Sequence, residues 1–370
     1  MYLKDLSLIN FKNYEQLEIE FSQKINCFVG DNGVGKTNLL DAIYYLSFCK
    51  SRFNLIDSQN IKHNENFFVI QGNYYLSNEN ESIYCGIKRN KKKQFKRNKK
   101  EYKKLSDHIG LIPLVLISPY DSNLIIGGSE ERRKFLNGVI SQFDKQYLED
   151  LIKYNRSLSQ RNSLLKDFAR TNTFNIETIE IWDEQLIKLG TSIYNKRVKF
   201  IKELLPVFQK YYEFISDGNE KVKLIYNSQL HDFDFAELLT NSIERDRILQ
   251  YTTTGTHKDD LIFKLDDFLI KKNGSQGQQK TFLVALKLAQ FDYMKNIYGF
   301  KPILLLDDVF DKFDLLRVKQ IIKLVADNNF GQIFITDTHR ERVKNILNES
   351  SIEYRLYNVI DGNIELTINN

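Results

Sequence analysis

The chain has 370 residues, 42% of them hydrophobic, which suits two lobes or one core with a large insertion. Its net charge of +5 permits a polyanionic partner without requiring one. No run approaches the length of a membrane span, and the first residues lack the layout of a signal peptide. Three cysteines stand far apart in sequence, without a metal-binding spacing. We therefore expect a cytoplasmic protein with reduced thiols and no membrane partner.

The N-terminal third is predicted to be mainly β-structure with one helix. Alternating or continuous apolar residues favour strands, and an apolar stripe over 38–48 favours a helix that follows a Gly-rich loop. The predicted strands are 2–11, 17–21, 25–29, 67–70, 83–87 and 114–117.

The middle of the chain, from residue 130 to about 214, has a helical, charge-rich pattern that is typical of a separate lobe. Polar breaks near 170–175 and 216–219 divide it. From residue 251 the chain returns to mixed structure. We predict a hairpin (261–265 and 268–271), helices over 277–296 and 315–325, and buried strands at 303–306 and 332–336.

Residues 30–37 match the phosphate-binding pattern G-x-x-x-x-G-K-T between a strand and a helix. Backbone N–H groups of such a loop cradle phosphates at a helix N-terminus. Lys36 is expected to reach the β- and γ-phosphates, and the Thr37 hydroxyl to bind Mg²⁺. A Gly-rich surface turn is the alternative, which the strand and helix on either side disfavour. The predicted ATP-binding residues are Gly30, Asp31, Asn32, Gly33, Val34, Gly35, Lys36, Thr37 and Asn38.

A second motif is the aliphatic run that ends in two acids, Asp307 and Asp308. P-loop proteins hold Mg²⁺ through an acid at the end of such a strand, which predicts that role for Asp307. Asp308 is a candidate to polarise the attacking water, so Asp307, Asp308 and Lys36 are the predicted catalytic set. Because Asp308 has a shorter side chain than Glu, we expect slow hydrolysis. The alternative is an ordinary buried strand followed by a polar turn.

A third motif, with Ser275, Gly277 and Gln278, directly precedes an amphipathic helix. A hydroxyl and free N–H groups at a helix N-terminus can bind an anion, although an ordinary N-cap uses the same residues. Ser275 lies 32 residues before Asp307, and this order of signature helix and acidic strand is typical of ABC-type ATPases.

With these motifs the chain resembles the RecF family, bacterial DNA replication and repair proteins of the SMC-like branch of ABC ATPases. The match extends from residue 11 to about 340. Beyond the P-loop, its segments are F-K-N-Y (11–14), S-P-Y-D (118–121), R-R-K-F-L-N (132–137), Q-R-N-S-L-L (160–165), G-T-H-K-D-D (255–260), the signature (274–281) and D-D-V-F-D-K-F-D (307–314).

The resemblance implies an α/β fold, an ABC/SMC-type P-loop ATPase head (1–125 and 236–370) with an inserted helical lobe (126–235), a shortened SMC-like arm. It implies an ATP-dependent homodimer in which Ser275 contacts the γ-phosphate held by the other chain and Asp314 lies at the seam. Lys12 is implied to lie near the nucleotide.

For function, the resemblance implies a weak ATPase of DNA damage repair, the SOS response and replication restart. It implies binding of double-stranded DNA and of single-strand/duplex junctions. The implied protein partners are RecR with RecO, and indirectly RecA.

Some features remain open at the level of sequence. Residues 88–104 contain eleven basic side chains, which fit either a DNA contact or a solvated hairpin. Arg132 and Arg133 fit either an anionic partner or local salt bridges. His257 is expected to have a structural role. Either Asp337 or His339 could serve as the γ-phosphate switch. Residues 118–121 are a guess for the counterpart of the Q-loop.

Four other functions compete with an ATP-gated DNA-binding factor. A transporter ATPase subunit is disfavoured, because about 240 residues separate the P-loop from the signature here. A metabolic P-loop kinase has no need for Ser275. A pure interaction protein with a degenerate site would not lose ATP binding in Lys36→Ala. An SMC-like ATPase that does not act on DNA is the closest alternative.

Overall fold

The computed structural model describes residues 1–54, 56–218, 220–309, 317, 320, 324, 330–341 and 353–369. The chain divides into two compact units. The first unit contains 1–121, 214–216 and 280–370, and the second contains 122–213 and 217–279. The predicted helix over 315–325 lies almost entirely outside the described residues, and so does Asp314.

The strands, in chain order, are β1 (Tyr2–Phe11), β2 (Tyr14–Glu20), β3 (Ile25–Val29), β4 (Phe67–Leu76), β5 (Glu79–Lys88), β6 (Gln94–Arg97), β7 (Lys100–Glu101), β8 (Leu114–Ile117), β9 (Val222–Asn227), β10 (Asp260–Leu265), β11 (Phe268–Leu269), β12 (Ile303–Asp307), β13 (Ile333–Asp337), β14 (Tyr354–Ile360) and β15 (Asn363–Asn369). The helices are α1 (Lys36–Phe48), α2 (Asn123–Ile126), α3 (Ser129–Phe143), α4 (Lys145–Thr171), α5 (Ile176–Ser216), α6 (Phe235–Leu249), α7 (Ile270–Asn273) and α8 (Gln276–Tyr298).

The first unit contains an antiparallel sheet with the strand order β2-β1-β4-β5-β6-β7. Buried and more exposed residues alternate along β4 and β5, because one face of the sheet packs on the core and the other faces solvent. Helix α1 contacts β4 and β5 of this sheet. Leu46 of α1 lies so close to Gly72 of β4 that a Cβ at residue 72 would come within 2.7 Å of its Cδ1.

The other sheet of the first unit has the order β15-β14-β3-β13-β12-β8, and it is parallel except for β15. Every residue of β3, β12 and β13 is buried, as expected for strands covered on both faces, and the aliphatic run of β12 predicted this burial. The register pairs Asp307 with Thr336 and Asp337 with Val29, so these strands end side by side. The P-loop follows directly from the end of β3.

The second unit contains long helices and a small antiparallel sheet, ordered β11-β10-β9. Helix α4 ends at Thr171, where the polar break is predicted, and α5 runs for 41 residues, roughly 60 Å at 1.5 Å per residue. Pro206 lies inside α5. Among the described residues, no helix has the length and apolar character that a membrane crossing requires.

Buried ion pairs hold the second unit together, and one of them uses Arg161 of the motif at 160–165. Arg161 on α4 contacts Asp246 at 2.6 Å, and both side chains are fully buried. Arg197 on α5 contacts Asp259 at 2.7 Å. Breaking such a pair by removing one partner costs about 3–5 kcal/mol, because the other charge stays buried.

These ion pairs bear on the predicted boundary at residues 235 and 236. The arginines come from the predicted lobe, whereas Asp246 and Asp259 come from the predicted head. The second unit therefore includes residues 236–279, which the sequence assigned to the head. The second unit begins at residue 122, close to residue 126, where the sequence predicted the start of the helical lobe.

His108 in the first unit is held as a neutral imidazole. Its Nε2 donates to the Leu46 carbonyl at 2.7 Å, so Nδ1 accepts from the Tyr102 hydroxyl at 3.0 Å. Burial lowers the pKa of His108 to about 4 from 6.5. Between pH 4 and pH 6.5 the unfolded chain binds more protons at this histidine than the folded chain does. The contribution of neutral His108 to the free energy of unfolding is therefore complete above pH 6.5 and is lost as the pH falls toward 4.

We expect His108→Gln to reduce the acid sensitivity of the first unit. Going from pH 7.5 to pH 5, the parent should lose on the order of 1–2 kcal/mol more unfolding free energy than the variant. Urea denaturation at both pH values measures this difference. His63→Gln, at an exposed histidine, is the control and should behave as the parent. An equal pH dependence in His108→Gln and the parent would contradict the assignment.

Candidate nucleotide-binding site

The P-loop requires glycine at two positions for steric reasons. Gly35 has a φ of 117° immediately before α1, and a Cβ there would lie 2.3 Å from Nδ2 of Asn13. Gly30 has a φ of 157°, and a Cβ there would lie 2.4 Å from the Val359 carbonyl oxygen. Backbone from β14 and a side chain after β1 thus pack directly against the loop, which fixes its shape.

Lys36, the predicted phosphate-binding lysine, folds back into the loop. Its Nζ donates to the carbonyl oxygens of Gly30 and Asp31, each at 2.7 Å. Burial lowers the pKa of Lys36, and nearby carboxylates oppose that shift. These carboxylates belong to Asp308, Asp307, Asp337 and Asp31. The ammonium therefore lies where strand-end acids and the loop meet, as a phosphate ligand must.

Asp307 lies between two threonine hydroxyls. Thr37 Oγ1 is 3.0 and 3.1 Å from the two carboxylate oxygens, and Thr336 Oγ1 donates to Oδ1 at 2.7 Å. Burial raises the pKa of Asp307, the two hydroxyl donors partly oppose this, and the charge of Asp308 adds to it. The sequence predicted Thr37 and Asp307 as a pair, and the fold brings them together. It did not predict Thr336.

The chemistry of this cluster suits Mg²⁺, which prefers oxygen ligands from one or two carboxylates together with substrate phosphates. Thr37 and Asp307 supply a hydroxyl and a carboxylate within hydrogen-bonding distance. Asp307 is 3% exposed, and a buried carboxylate of this kind gains from a cation. The described residues contain no cluster of three or more His, Cys, Asp or Glu side chains suited to a metal, so phosphate and water oxygens would complete the coordination.

Three further side chains follow the ends of β12 and β13. Asp308 has a φ of 48°, and its N–H donates to Thr336 Oγ1 at 3.0 Å. Asp337 is 1% exposed and accepts from the His339 N–H at 2.7 Å. His339 itself is exposed. Of the two candidates for a γ-phosphate switch, Asp337 thus lies among the charges around Lys36.

The segment 11–14 braces the P-loop through residues that the sequence argument did not single out. Asn13 Nδ2 donates to the Val34 carbonyl at 3.0 Å, and its Oδ1 accepts from Asn38 at 2.7 Å. The Tyr14 hydroxyl donates to the Gly35 carbonyl at 3.0 Å. The motif F-K-N-Y at 11–14 contains both residues, but from the sequence only its charged member, Lys12, was expected to lie near the nucleotide.

Lys12 lies 2.6 Å from Asp41 of α1, a fully buried carboxylate. Its Nζ is also 5.3 Å from the centre of the Phe53 ring. In this arrangement the ammonium is neutralised by the protein, so a phosphate contact from Lys12 would require exchange of that partner.

The S-P-Y-D segment places a buried acid, Asp121, between two cations. Asp121 lies 3.0 Å from Lys287 of α8 and 3.4 Å from Arg52, which follows α1. The Arg52 N–H in turn donates to Asp41. Charged groups therefore connect the P-loop helix α1, the end of β8 and α8 within the first unit.

The signature residues lie in the second unit, whereas the P-loop lies in the first. Ser275 caps α8 reciprocally: its Oγ accepts from the Gln278 N–H at 3.2 Å, and its own N–H donates to Gln278 Oε1 at 2.8 Å. Ser275 and Gln276 are exposed, and Gly277 is half-buried. The structure is therefore compatible with both the cap and the anion-binding interpretation.

The arginines and the histidine of the other motifs have structural partners. Arg132 forms a bidentate pair with Asp260 at 2.6 and 3.0 Å, and Arg133 donates to the Asp259 carbonyl. His257 contacts the Tyr154 hydroxyl and the Thr252 carbonyl. The salt bridge to Glu130 or Glu131 that the sequence allowed for Arg132 is replaced by one to Asp260, 128 residues away, while both glutamates pair with Lys134. The structural role favoured for His257 fits its two contacts.

Comparison with known proteins gives concordant matches along the whole chain. The family model described as RecF/RecN/SMC N terminal domain matches residues 2–359. Proteins named DNA replication and repair protein RecF are 55% identical in Phocaeicola vulgatus and 56% identical in Bacteroides thetaiotaomicron, with 98% of each chain covered.

Solved structures of a RecF protein and of an Smc head resemble this chain in fold. The recombination mediator protein RecF-ATP of the RecFOR pathway has a TM-score of 0.88 and 32% identity, over 99% of this chain and 98% of that one. An Smc head domain from Pyrococcus furiosus has a TM-score of 0.59 and 16% identity, over 100% and 96%. The predicted fold class, an α/β ABC/SMC-type ATPase head, is confirmed.

We expect Asn13→Ala to weaken ATP binding while the fold remains intact. Two hydrogen bonds that hold the P-loop are lost, each worth about 1 kcal/mol, so the Kd should rise by up to roughly thirtyfold. Titration with a fluorescent ATP analogue measures the change. Asn73→Ala is the control, since Asn73 donates to Asp5 at 2.7 Å away from the loop. If both variants bind as the parent does, Asn13 has no bracing role.

Proposed function

The chain belongs to the RecF family of DNA replication and repair proteins, and on that premise we propose that it is an ATP-gated DNA-binding factor of recombinational repair and replication restart. The observation that carries the proposal is the Thr37–Asp307–Thr336 cluster beside Lys36, at the point where the P-loop meets the ends of β12 and β13. The RecF–ATP structure, 32% identical over nearly the whole chain, supports ATP as the nucleotide.

In this proposal the loop amides and Lys36 bind the triphosphate, and Lys36 exchanges its contacts with the Gly30 and Asp31 carbonyls for phosphate oxygens. Thr37 and Asp307 hold Mg²⁺. When bound, that ion neutralises phosphate charge and orients the terminal phosphate. The buried Asp307 gains a counter-charge in the same step, so nucleotide binding relieves the cost of its burial.

Hydrolysis is assigned to Asp308, which follows Asp307 and is held by its backbone N–H on Thr336. Its carboxylate accepts a proton from the attacking water, and Lys36 stabilises charge on the phosphate. We propose a weak ATPase, because a carboxylate on a short side chain at a fixed backbone reaches the water less well than Glu. Asp337, buried next to these groups, is proposed as the residue that responds to the γ-phosphate.

ATP also acts as an adhesive between two copies in this proposal. The exposed N-terminus of α8, with Ser275, Gly277 and Gln278, contacts the γ-phosphate bound to a second subunit. Asp314, which lies outside the described residues, is proposed for the dimer seam, and the family resemblance supports this proposal. Residues 30–37 are then half of a composite site, and closure of the dimer depends on ATP.

The closed dimer is proposed to bind double-stranded DNA at junctions with single-stranded gaps, as part of the DNA damage and SOS response. RecR with RecO is the proposed partner, through which RecA is loaded. Family membership supports these assignments. An ABC-type ATPase without a DNA target is the alternative outcome of the tests.

The first test compares the parent with Lys36→Ala. With ATP and Mg²⁺ at micromolar protein, the parent should form dimers and bind a gapped duplex, whereas Lys36→Ala should stay monomeric and lose at least tenfold in ATP affinity. Light scattering and fluorescence anisotropy measure both properties. Dimers without DNA binding would favour the non-DNA ATPase, and a parent that stays monomeric would contradict the clamp.

The second test concerns Ser275→Arg, which should leave the ATP Kd within about twofold but abolish dimer formation and ATP-dependent DNA binding, because a bulky side chain occupies the γ-phosphate contact. Asn175→Arg is the matched control. Asn175 is also an exposed helix N-cap, at α5, and accepts from the Thr178 N–H. Equal dimerisation of Ser275→Arg and the parent would refute the role of Ser275 in the second subunit's site.

A further inference from the structure

Residues 88–104, here called the basic ribbon, carry a charge that the rest of the chain does not share. The basic ribbon holds eleven basic residues and one acid, Glu101, so it is net +10. The other residues, with 42 basic and 47 acidic side chains, are net −5. A general preference for lysine in the source organism would spread positive charge along the chain, and it therefore does not explain this segment.

The basic ribbon forms the outer edge of the antiparallel sheet. It runs from the end of β5 through a turn into β6, and through a second turn into β7, the last strand of the sheet. The two turns lie at opposite ends of β6, which has four residues and so a length of about 13 Å at 3.3 Å per residue. Lysines therefore lie in two groups separated by one short strand.

Two cations of the basic ribbon form ion pairs within the protein, and two more, Arg89 and Lys96, contact the Glu65 carbonyl and the Tyr84 ring. Arg97 forms a bidentate pair with Glu81, and Lys93 lies 2.7 Å from Asp57. Seven other lysines are exposed and make no ion pair with any residue that the structure describes. They are Lys88, Lys91, Lys92, Lys99, Lys100, Lys103 and Lys104.

Protection of a sheet edge does not account for this arrangement. Lysines on an edge strand discourage pairing with another chain, and Lys100 of β7 can serve that purpose. The turn that contains Lys91 and Lys92 is not an edge strand and gains nothing from such protection. The excess charge thus points to an external anion.

The shape and chemistry favour duplex DNA over a membrane surface. Membrane-surface segments combine basic residues with apolar side chains that enter the lipid, whereas Phe95, within the basic ribbon, is 1% exposed and belongs to the core. The 13 Å between the two turns is comparable with the width of the major groove, about 12 Å. Lysine groups at such a spacing can reach phosphates on both sides of one groove.

We propose that the basic ribbon is a contact surface for the phosphate backbone of duplex DNA, independent of base sequence. This inference rests on the proposed DNA-binding function and assigns a surface to it. Sequence independence follows from the side chains involved. Seven of the exposed groups are lysine ammonium ions, which act as point charges. Of the two arginines, Arg97 has its guanidinium fork occupied by Glu81, and Arg89 donates through Nε to the Glu65 carbonyl.

The test uses the full chain with Lys91, Lys92, Lys99 and Lys100 all changed to Gln, and a duplex of unrelated sequence, with ATP and Mg²⁺. Each phosphate contact contributes about 0.9 to the slope of log K against log salt. The slope should fall by about 2–4, and the affinity at 150 mM salt should fall by at least about tenfold. ATP affinity and dimer formation should equal those of the parent.

The matched control changes Lys145, Lys166, Lys202 and Lys210 to Gln, which removes the same charge from exposed helical positions. A slope that is unchanged in the basic-ribbon variant, or that falls equally in the control, would overturn this surface while leaving ATP-dependent DNA binding in place. A parent that does not bind DNA would instead remove the proposed function and this inference together. Loss of binding to phosphatidylserine vesicles, with DNA binding intact, would assign the surface to membranes.

Discussion

The burial of one carboxylate, Asp307, is the constraint around which the first unit is arranged. A buried charge is stable only with hydrogen-bond donors or a counter-ion, and Asp307 has Thr37 from α1 and Thr336 from β13. Both donors reach it because β3, β12 and β13 are parallel, fully buried and end at the same level. A shift of β13 by one residue would turn Thr336 to the opposite face and leave the acid with fewer partners.

Much of the first unit could be predicted because its signals are local. The short apolar runs of β3, β12 and β13 indicate buried strands, and the loop 30–37 carries its chemistry in consecutive residues. Thr336 and Asn13 were not found. Thr336 looks like any polar residue in a strand, and the Asn13 partner is a backbone carbonyl 21 residues away. Only the folded backbone creates those contacts.

The second unit shows a different limit of sequence reasoning. Buried ion pairs and ligand-binding sites use the same residue types, so an arginine in a motif does not reveal which role it has. Arg161 and Arg197 join segments that are 85 and 62 residues apart at Asp246 and Asp259. No local pattern shows that these distant segments pair. The sequence therefore assigned residues 236–279 to the head, whereas the structure includes them in the second unit. The helical character of α4 and α5, in contrast, was visible in their periodicity.

The uneven distribution of charge, with the basic ribbon at +10 and the other residues at −5, also has a kinetic consequence. A molecule whose net positive charge is concentrated in one segment experiences a torque in the field of a polyanion, so it turns the basic ribbon towards the polyanion before contact. Most of the negative remainder repels the same target, which disfavours encounters in wrong orientations. Productive collisions should then be a larger fraction of all collisions than for a protein with the same net charge spread evenly. At physiological salt this steering should act only when the protein and its target are within a Debye length, about 8 Å, of each other.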